Sequence, residues 1–200
     1  MRTYGDRCGI ARALDAVGDR WALLVVRELL LGPKRFTDLR AGLPNVSPDV
    51  LAQRLRELEG HGVLRRDRLP PPAAARVYEL TERGRELEPV ILGLGRWGSR
   101  QPANDGPLGP DAAVIALMTM FGGELEADVE LRLDGHVFRL RAADGRLDAA
   151  RGPAEAPDAV IETDPGTLAT VLWHGADPGA LGVSGDHRTV ERFLRAFAGT

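Results

Sequence analysis

The sequence predicts an α+β chain made of two unlike halves. Three observations carry that prediction. Charge divides along the chain: residues 1–100 hold 18 Lys and Arg against 13 Asp and Glu, whereas residues 101–200 hold 8 against 16. The first half has apolar residues at helical spacing and closes on one arginine-rich hairpin. The second half reads helix, strands, helices, the order of an α+β domain. Residues 101–110, rich in Pro and Gly and poor in apolar side chains, read as a linker. The expected domains are therefore 1–100 and 111–200. The basic half suits a polyanion; the acidic half would be repelled by one.

Composition narrows the classes further. One cysteine cannot form an internal disulfide, and the first residues lack an apolar signal core. No apolar run approaches the roughly 18 residues of a membrane span. A cytoplasmic protein without a membrane span is expected. No Cys/His/carboxylate spacing suggests a metal, and no nucleophile motif or phosphate loop suggests an enzyme or a cofactor.

In the first half, residues 8–17 place Ile10, Leu14 and Val17 on one helical face. Residues 21–31 are apolar nearly all round, which predicts a central buried helix ended by Gly32 and Pro33. Phe36, Leu39 and Leu43 mark a third helix, ended by Pro44 and Asn45. Ser47 then caps a fourth, with Pro48 at the first helical position, where its missing N–H costs little. Residues 63–69 and 76–80 read as strands, with Pro70, Pro71 and Pro72 at the hairpin tip. Thr81 caps a last helix carrying Leu87, Ile91, Leu94 and Trp97, and Pro89 predicts a kink or a break near Glu88.

The fourth helix and the hairpin carry the chemistry. Leu51, Leu55 and Leu58 share one face, so Asp49, Gln53, Arg56 and Gly60 point roughly the opposite way. Gln53 suits bidentate pairing with adenine, and Arg56 suits guanine or a phosphate. Arg54 lies on the flank, structural or phosphate-directed. Ser47 and Pro48 stand at a helix start, where backbone donors meet phosphate. Arg65, Arg66, Arg68 and Arg76 on the hairpin suit phosphates irrespective of sequence. A reading helix followed at once by a basic hairpin is the layout of a winged helix-turn-helix on double-stranded DNA.

These residues resemble those of the HxlR-type branch of the MarR-like winged-helix regulators. The resemblance rests on Cys8, Ala11-Arg12-Ala13-Leu14, Gly18-Asp19-Arg20-Trp21, and the run from Leu29 to Phe36. It continues through Leu43-Pro44, Ser47-Pro48, Gln53-Arg54-Leu55-Arg56-Glu57-Leu58 and Tyr78-Glu79-Leu80-Thr81-Glu82-Arg83-Gly84. It implies a homodimer formed through the terminal helices of this domain, operator binding, and repression or activation of a nearby operon. Asp49 departs from the pattern, since an acid repels phosphate or selects a cytosine donor. In relatives of this kind an N-terminal cysteine senses oxidants or electrophiles, and Cys8 stands at that place beside Arg7 and Arg12. That gives the rival reading, a redox-responsive regulator with a structural second domain. The bland reading is a small core residue.

In the second half, Val114, Leu117, Met118 and Phe121 recur at helical spacing. Ala127, Val129, Leu131 and Leu133 alternate with polar residues, as a half-buried strand does. Asp134-Gly135 and Asp144-Gly145 are hairpin turns, so three strands form a meander with residues 159–163 as a fourth. Gly182 to Gly185 reads as a turn. Helices begin at Asp164-Pro165 and at Asp186. The strand run 129–133, residues 159–168 and the segment 182–186 before the last helix resemble the sterol-carrier-protein-2-like domain. That resemblance implies an antiparallel sheet with helices enclosing an apolar cavity, and a lipid or other apolar effector. Met118, Phe121, Phe138, Trp173, Leu181, Phe193 and Phe197 are the candidate lining, or simply core. A lipid-binding or transfer protein is the alternative of another class.

Overall fold

The computed structural model describes residues 3–69, 75–102 and 106–197. The chain divides into two compact units, Met1–Ile91 and Leu92–Thr200, and the division falls within a helix. The expected hairpin tip, Pro70 to Pro72, lies outside the described residues.

The first unit is built around α2 (Ala22–Leu30). Val25 and Val26 are adjacent in sequence and both fully buried, which only a helix surrounded on several sides achieves. It packs against α3 (Phe36–Gly42) through the side holding Leu39, and against α4 (Pro48–Gly60), whose Leu51, Leu55 and Leu58 are buried. Ahead of it, α1 (Gly9–Val17) buries Ala11 and Val17 but leaves Ile10 72% exposed and Leu14 42% exposed. The apolar face read from the sequence is thus open at one end in the single chain. The turn from α1 into α2 puts Trp21 at φ 79°, a left-handed conformation rare for a bulky residue, with the Arg20 guanidinium 5.3 Å from its ring centre.

Strands β1 (Leu64–Arg68) and β2 (Arg76–Leu80) pair antiparallel, from Leu64 opposite Leu80 to Arg68 opposite Arg76. Lys34 adds a third backbone segment: its N–H donates to Tyr78 O at 3.0 Å and its carbonyl accepts from Tyr78 N at 2.8 Å. The Lys34 side chain turns inward to Glu28 at 2.5 Å, both being buried, and Arg27 reaches the other Glu28 oxygen at 2.7 Å. A buried charge pair of this kind is tolerable only because each ion has its partner.

The last helix of the first half is two helices. Thr81 Oγ1 accepts from Gly84 N at 3.1 Å and caps α5 (Glu82–Arg85), and α6 (Glu88–Gly98) follows. The break comes where the proline predicted a kink or a break, with Pro89 in the first turn of α6. Gly84 lies against the start of the wing: a Cβ there would sit 2.0 Å from Val63 O.

In the second unit, Arg96 Nε near the end of α6 donates to Thr119 O of α7 (Pro110–Met120) at 3.0 Å. The sheet contains β3 (Ala127–Leu133), β4 (His136–Ala143), β5 (Arg146–Arg151), β6 (Ala159–Thr163) and β7 (Gly182–Gly185), in the order β5-β4-β3-β6-β7. Helices α7, α8 (Pro165–Trp173) and α9 (His187–Arg195) complete the unit. The expected meander β3-β4-β5 is present, but the expected antiparallel sheet is mixed. β6 runs parallel to β3, with Val129 opposite Ala159 and Leu133 opposite Thr163. A parallel neighbour needs a crossover, and residues 152–158 provide it over the polar side of the sheet. Ala154 N donates to Glu130 at 3.0 Å and Asp128 N donates to Asp158 at 2.9 Å, tying that segment down. Beneath it Glu130 is buried; its hydrogen bond from Arg132, then that from Ala154, holds its carboxyl below the ordinary glutamate range.

The fifth strand, β7, corrects the reading of Gly182 to Gly185 as a turn. Four residues with glycine at both ends give no alternating pattern to read. Gly185 has φ 88°, and a Cβ there would lie 2.6 Å from Asp158 O, so glycine is what lets the two backbones meet.

Candidate nucleic-acid interface

Interface geometry starts at the cap of α4. Ser47 Oγ accepts from Val50 N at 3.4 Å, and Pro48 occupies the first turn. Ser47, Pro48, Asp49, Gln53 and Arg56 are all exposed, opposite the buried Leu51, Leu55 and Leu58. The outer face read from the sequence is the face that solvent sees. Asp49 lies in the first turn, where an acid stabilises the positive end of the helix dipole.

Arg54 has a different setting. Its side chain is only 11% exposed and forms ion pairs with Asp19, in the α1–α2 turn, and with Glu57 at 2.8 Å. The structure gives it a structural set of partners, the first of the two roles expected for it. Glu57 also accepts from Gln53 Nε2 at 3.0 Å. Asp19, Arg54, Glu57 and Gln53 thus form one chain of polar contacts, along a groove of about 470 Å³ beside α4. Sequence reading missed Glu57, although its place three residues after Arg54 and four after Gln53 was a legible signal.

The wing arginines are exposed, but Arg65 and Arg66 already hold carboxylates. Arg65 Nε donates to Glu79 Oε1 at 2.6 Å, across the hairpin, and that contact raises the Arg65 pKa further. Arg66 pairs with Glu59 of α4 at 3.1 Å, with its guanidinium 5.8 Å from the Tyr78 ring centre. Arg68 and Arg76 face each other at the end of the described ladder. Asp67 is held below its ordinary range, first by the Arg68 backbone N–H.

A family model described as HxlR-like helix-turn-helix matches residues 16–105. The uncharacterized HTH-type transcriptional regulator YvaP of Bacillus subtilis is 40% identical over 88 residues, covering 44% of this chain and 82% of YvaP. The chain belongs to the HxlR-like helix-turn-helix family. HTH-type transcriptional regulator YodB of the same organism is 35% identical over 88 residues, 44% of this chain and 79% of YodB. A solved structure of quinone-bound YodB covers 46% of this chain and 97% of its own, at 32% identity and a TM-score of 0.40. The HxlR-like segment contains α4, the hairpin β1–β2 and α6.

Outside the HxlR-like segment, the candidate lining residues are buried except Trp173. Phe138, Phe193 and Phe197 are among the most deeply buried side chains, and Met118, Phe121 and Leu181 are buried too. Phe197 packs edge-on against Phe121 at 5.7 Å and Phe193 at 5.2 Å between ring centres. Trp173 is half-buried, and its Nε1 is buried without a hydrogen-bond partner among the described residues. Cys8 is exposed, immediately before α1. Among the described residues no group of His, Cys, Asp or Glu is placed to hold a metal ion, and no helix is long and apolar enough to cross a membrane.

Proposed function

We propose that this DNA-binding transcriptional regulator acts as a homodimer on a two-fold operator. Each α4 enters a major groove and each wing lies on the flanking phosphates. The observation that carries this reading is the exposed face of α4, Asp49, Gln53 and Arg56, on a helix whose opposite face is fully buried. A helix so anchored presents the same side chains in every molecule, as base reading requires. Two further helix faces support dimerisation: Ile10 and Leu14 on α1, and Val90, Leu94 and Trp97 on α6. Large apolar side chains grouped in this way mark a protein contact.

Binding to DNA upstream of its own gene, measured across salt concentrations, tests the reading. The Arg65→Ala, Arg66→Ala variant binds all sequences more weakly, and its salt slope flattens by about one unit per lost phosphate contact. Unchanged affinity and slope remove the wing from the interface. Diamide treatment in the same assay, with Cys8→Ser as the control, tests the second reading, that Cys8 senses oxidants. The exposure of Cys8 favours that reading; no loss of DNA binding on oxidation rejects it.

For residues 111–200 we infer a lipid-carrier-like domain that takes an apolar effector. Support comes from a five-stranded sheet with α7 and α9 packed against it, and from the buried Trp173 indole N–H, which has no acceptor among the described residues. A carboxylate head group supplies one.

A further inference from the structure

Glu57 fixes the orientation of the side chain that faces the bases. We propose that it is a specificity-determining residue of this regulator, acting through Gln53 without touching DNA. The proposal rests on the assignment of Gln53 as a reading residue.

The argument starts from what a carboxylate can do. An ionised glutamate accepts hydrogen bonds and donates none. With Glu57 Oε1 3.0 Å from the Gln53 amide, the amide nitrogen must face Glu57 and the amide oxygen must face away. One N–H is committed to that contact. The oxygen and the second N–H remain, which is the acceptor–donor pair that adenine's N6 amino group and N7 require in the major groove. Turned the other way, the amide would place its oxygen against the carboxylate, a contact between two acceptors. Glu57 therefore excludes one of the two amide orientations and holds an exposed side chain that is otherwise free to rotate.

Glu57 is itself held. Its second oxygen lies 2.8 Å from Arg54 Nη1, an ion pair held by charge and not by an aligned hydrogen bond, and Arg54, 11% exposed, is paired with Asp19 in the turn before α2. The guanidinium offsets the negative charge that Glu57 would otherwise present toward phosphate. The polar chain runs from a turn of the core unit outward to the reading face, so the exposed glutamine inherits its orientation from the fold.

The test uses the full chain and a set of duplexes carrying each base at every position of an operator selected from random DNA. Gln53→Ala flattens base preference at one position in each half-site. Glu57→Ala flattens preference at that same position by about fivefold, the lower end of what one bidentate contact contributes, and the double variant is no worse there than Gln53→Ala alone. Glu57→Gln has a single acceptor oxygen, which the Arg54 guanidinium claims, so its amide nitrogen faces Gln53 and the preference at that position flattens as in Glu57→Ala. If Glu57 only braces α4, both variants weaken all sequences equally and leave the base profile unchanged; that result overturns the proposal. A flattened profile for Gln53→Ala with an unchanged one for Glu57→Ala also overturns it and leaves the reading role of Gln53 standing. If Gln53→Ala leaves the profile unchanged, the assignment of Gln53 fails, and the role of Glu57 with it.

Discussion

The two halves of the chain differ in how they treat their largest apolar side chains. Every one left exposed among the described residues lies between Tyr4 and Trp97, with Ile10 at 72% and Trp97 at 64%. Between residues 106 and 197 the large apolar side chains turn inward, and three phenylalanines pack edge to face. The first half is built like one side of a larger assembly. The second half has satisfied its apolar surface from within the same chain. Surface character therefore separates the halves as charge does, with the unfinished contacts at or before α6.

The largest expected effect follows from those exposed faces. Charging both, with Ile10→Asp and Trp97→Asp, yields a monomer by sedimentation velocity. Operator affinity falls by about 100-fold or more, because two linked half-sites no longer act together. A dimer of unchanged strength would place the subunit contact elsewhere and break the comparison. A middle-sized effect would sharpen it. If the second half admits an apolar effector despite its packing, long-chain fatty acid quenches the fluorescence of the full protein, and Trp173→Phe removes that response. Operator affinity then shifts by about 5–150-fold, the usual range of coupling between sites. Binding that leaves operator affinity unchanged makes the second half a carrier or a scaffold.

The smallest effect concerns the polar side of the sheet. Arg132 and the Ala154 N–H lower the Glu130 pKa from its ordinary 4.5 in the folded chain. A lowered carboxylate pKa contributes stability above the unfolded value, and that contribution is lost as pH falls through the folded value. Urea unfolding followed from neutral pH to below about 4.5 should thus show less acid destabilisation in Glu130→Gln than in the parent chain. Equal slopes would mean that the crossing segment 152–158 is held by other contacts.

Much of this was legible in the sequence where a repeat spacing meets a single environment. The buried and exposed faces of α4 follow from Leu51, Leu55 and Leu58, and the break before α6 follows from Pro89. The α1 face was legible as apolar but not as open, because spacing tells which residues share a face and not what covers it. Lys34 was hidden for a similar reason. A lysine before a helix reads as solvated, and only the fold brings Glu28 beneath it and Tyr78 beside its backbone. The parallel partner of β3 was invisible because strand patterns carry no direction. In α4 the side chains were legible, but not their commitments. Arg54 read as structural or phosphate-directed, and its pairing with Asp19, distant in sequence, was not legible.

Gly84 has a consequence for genetics. Any side chain at that position would collide with the Val63 carbonyl, where the chain enters the wing. In a screen for alleles that abolish repression or activation, substitutions at Gly84 would score with those of the residues that touch operator DNA. Yet Gly84 itself is buried and offers DNA no side chain. A map of such alleles would draw the recognition surface too large, extending it inward along the joint between wing and helix. Measuring how much folded protein each allele leaves in the cell would trim the map back to the side chains that face the groove.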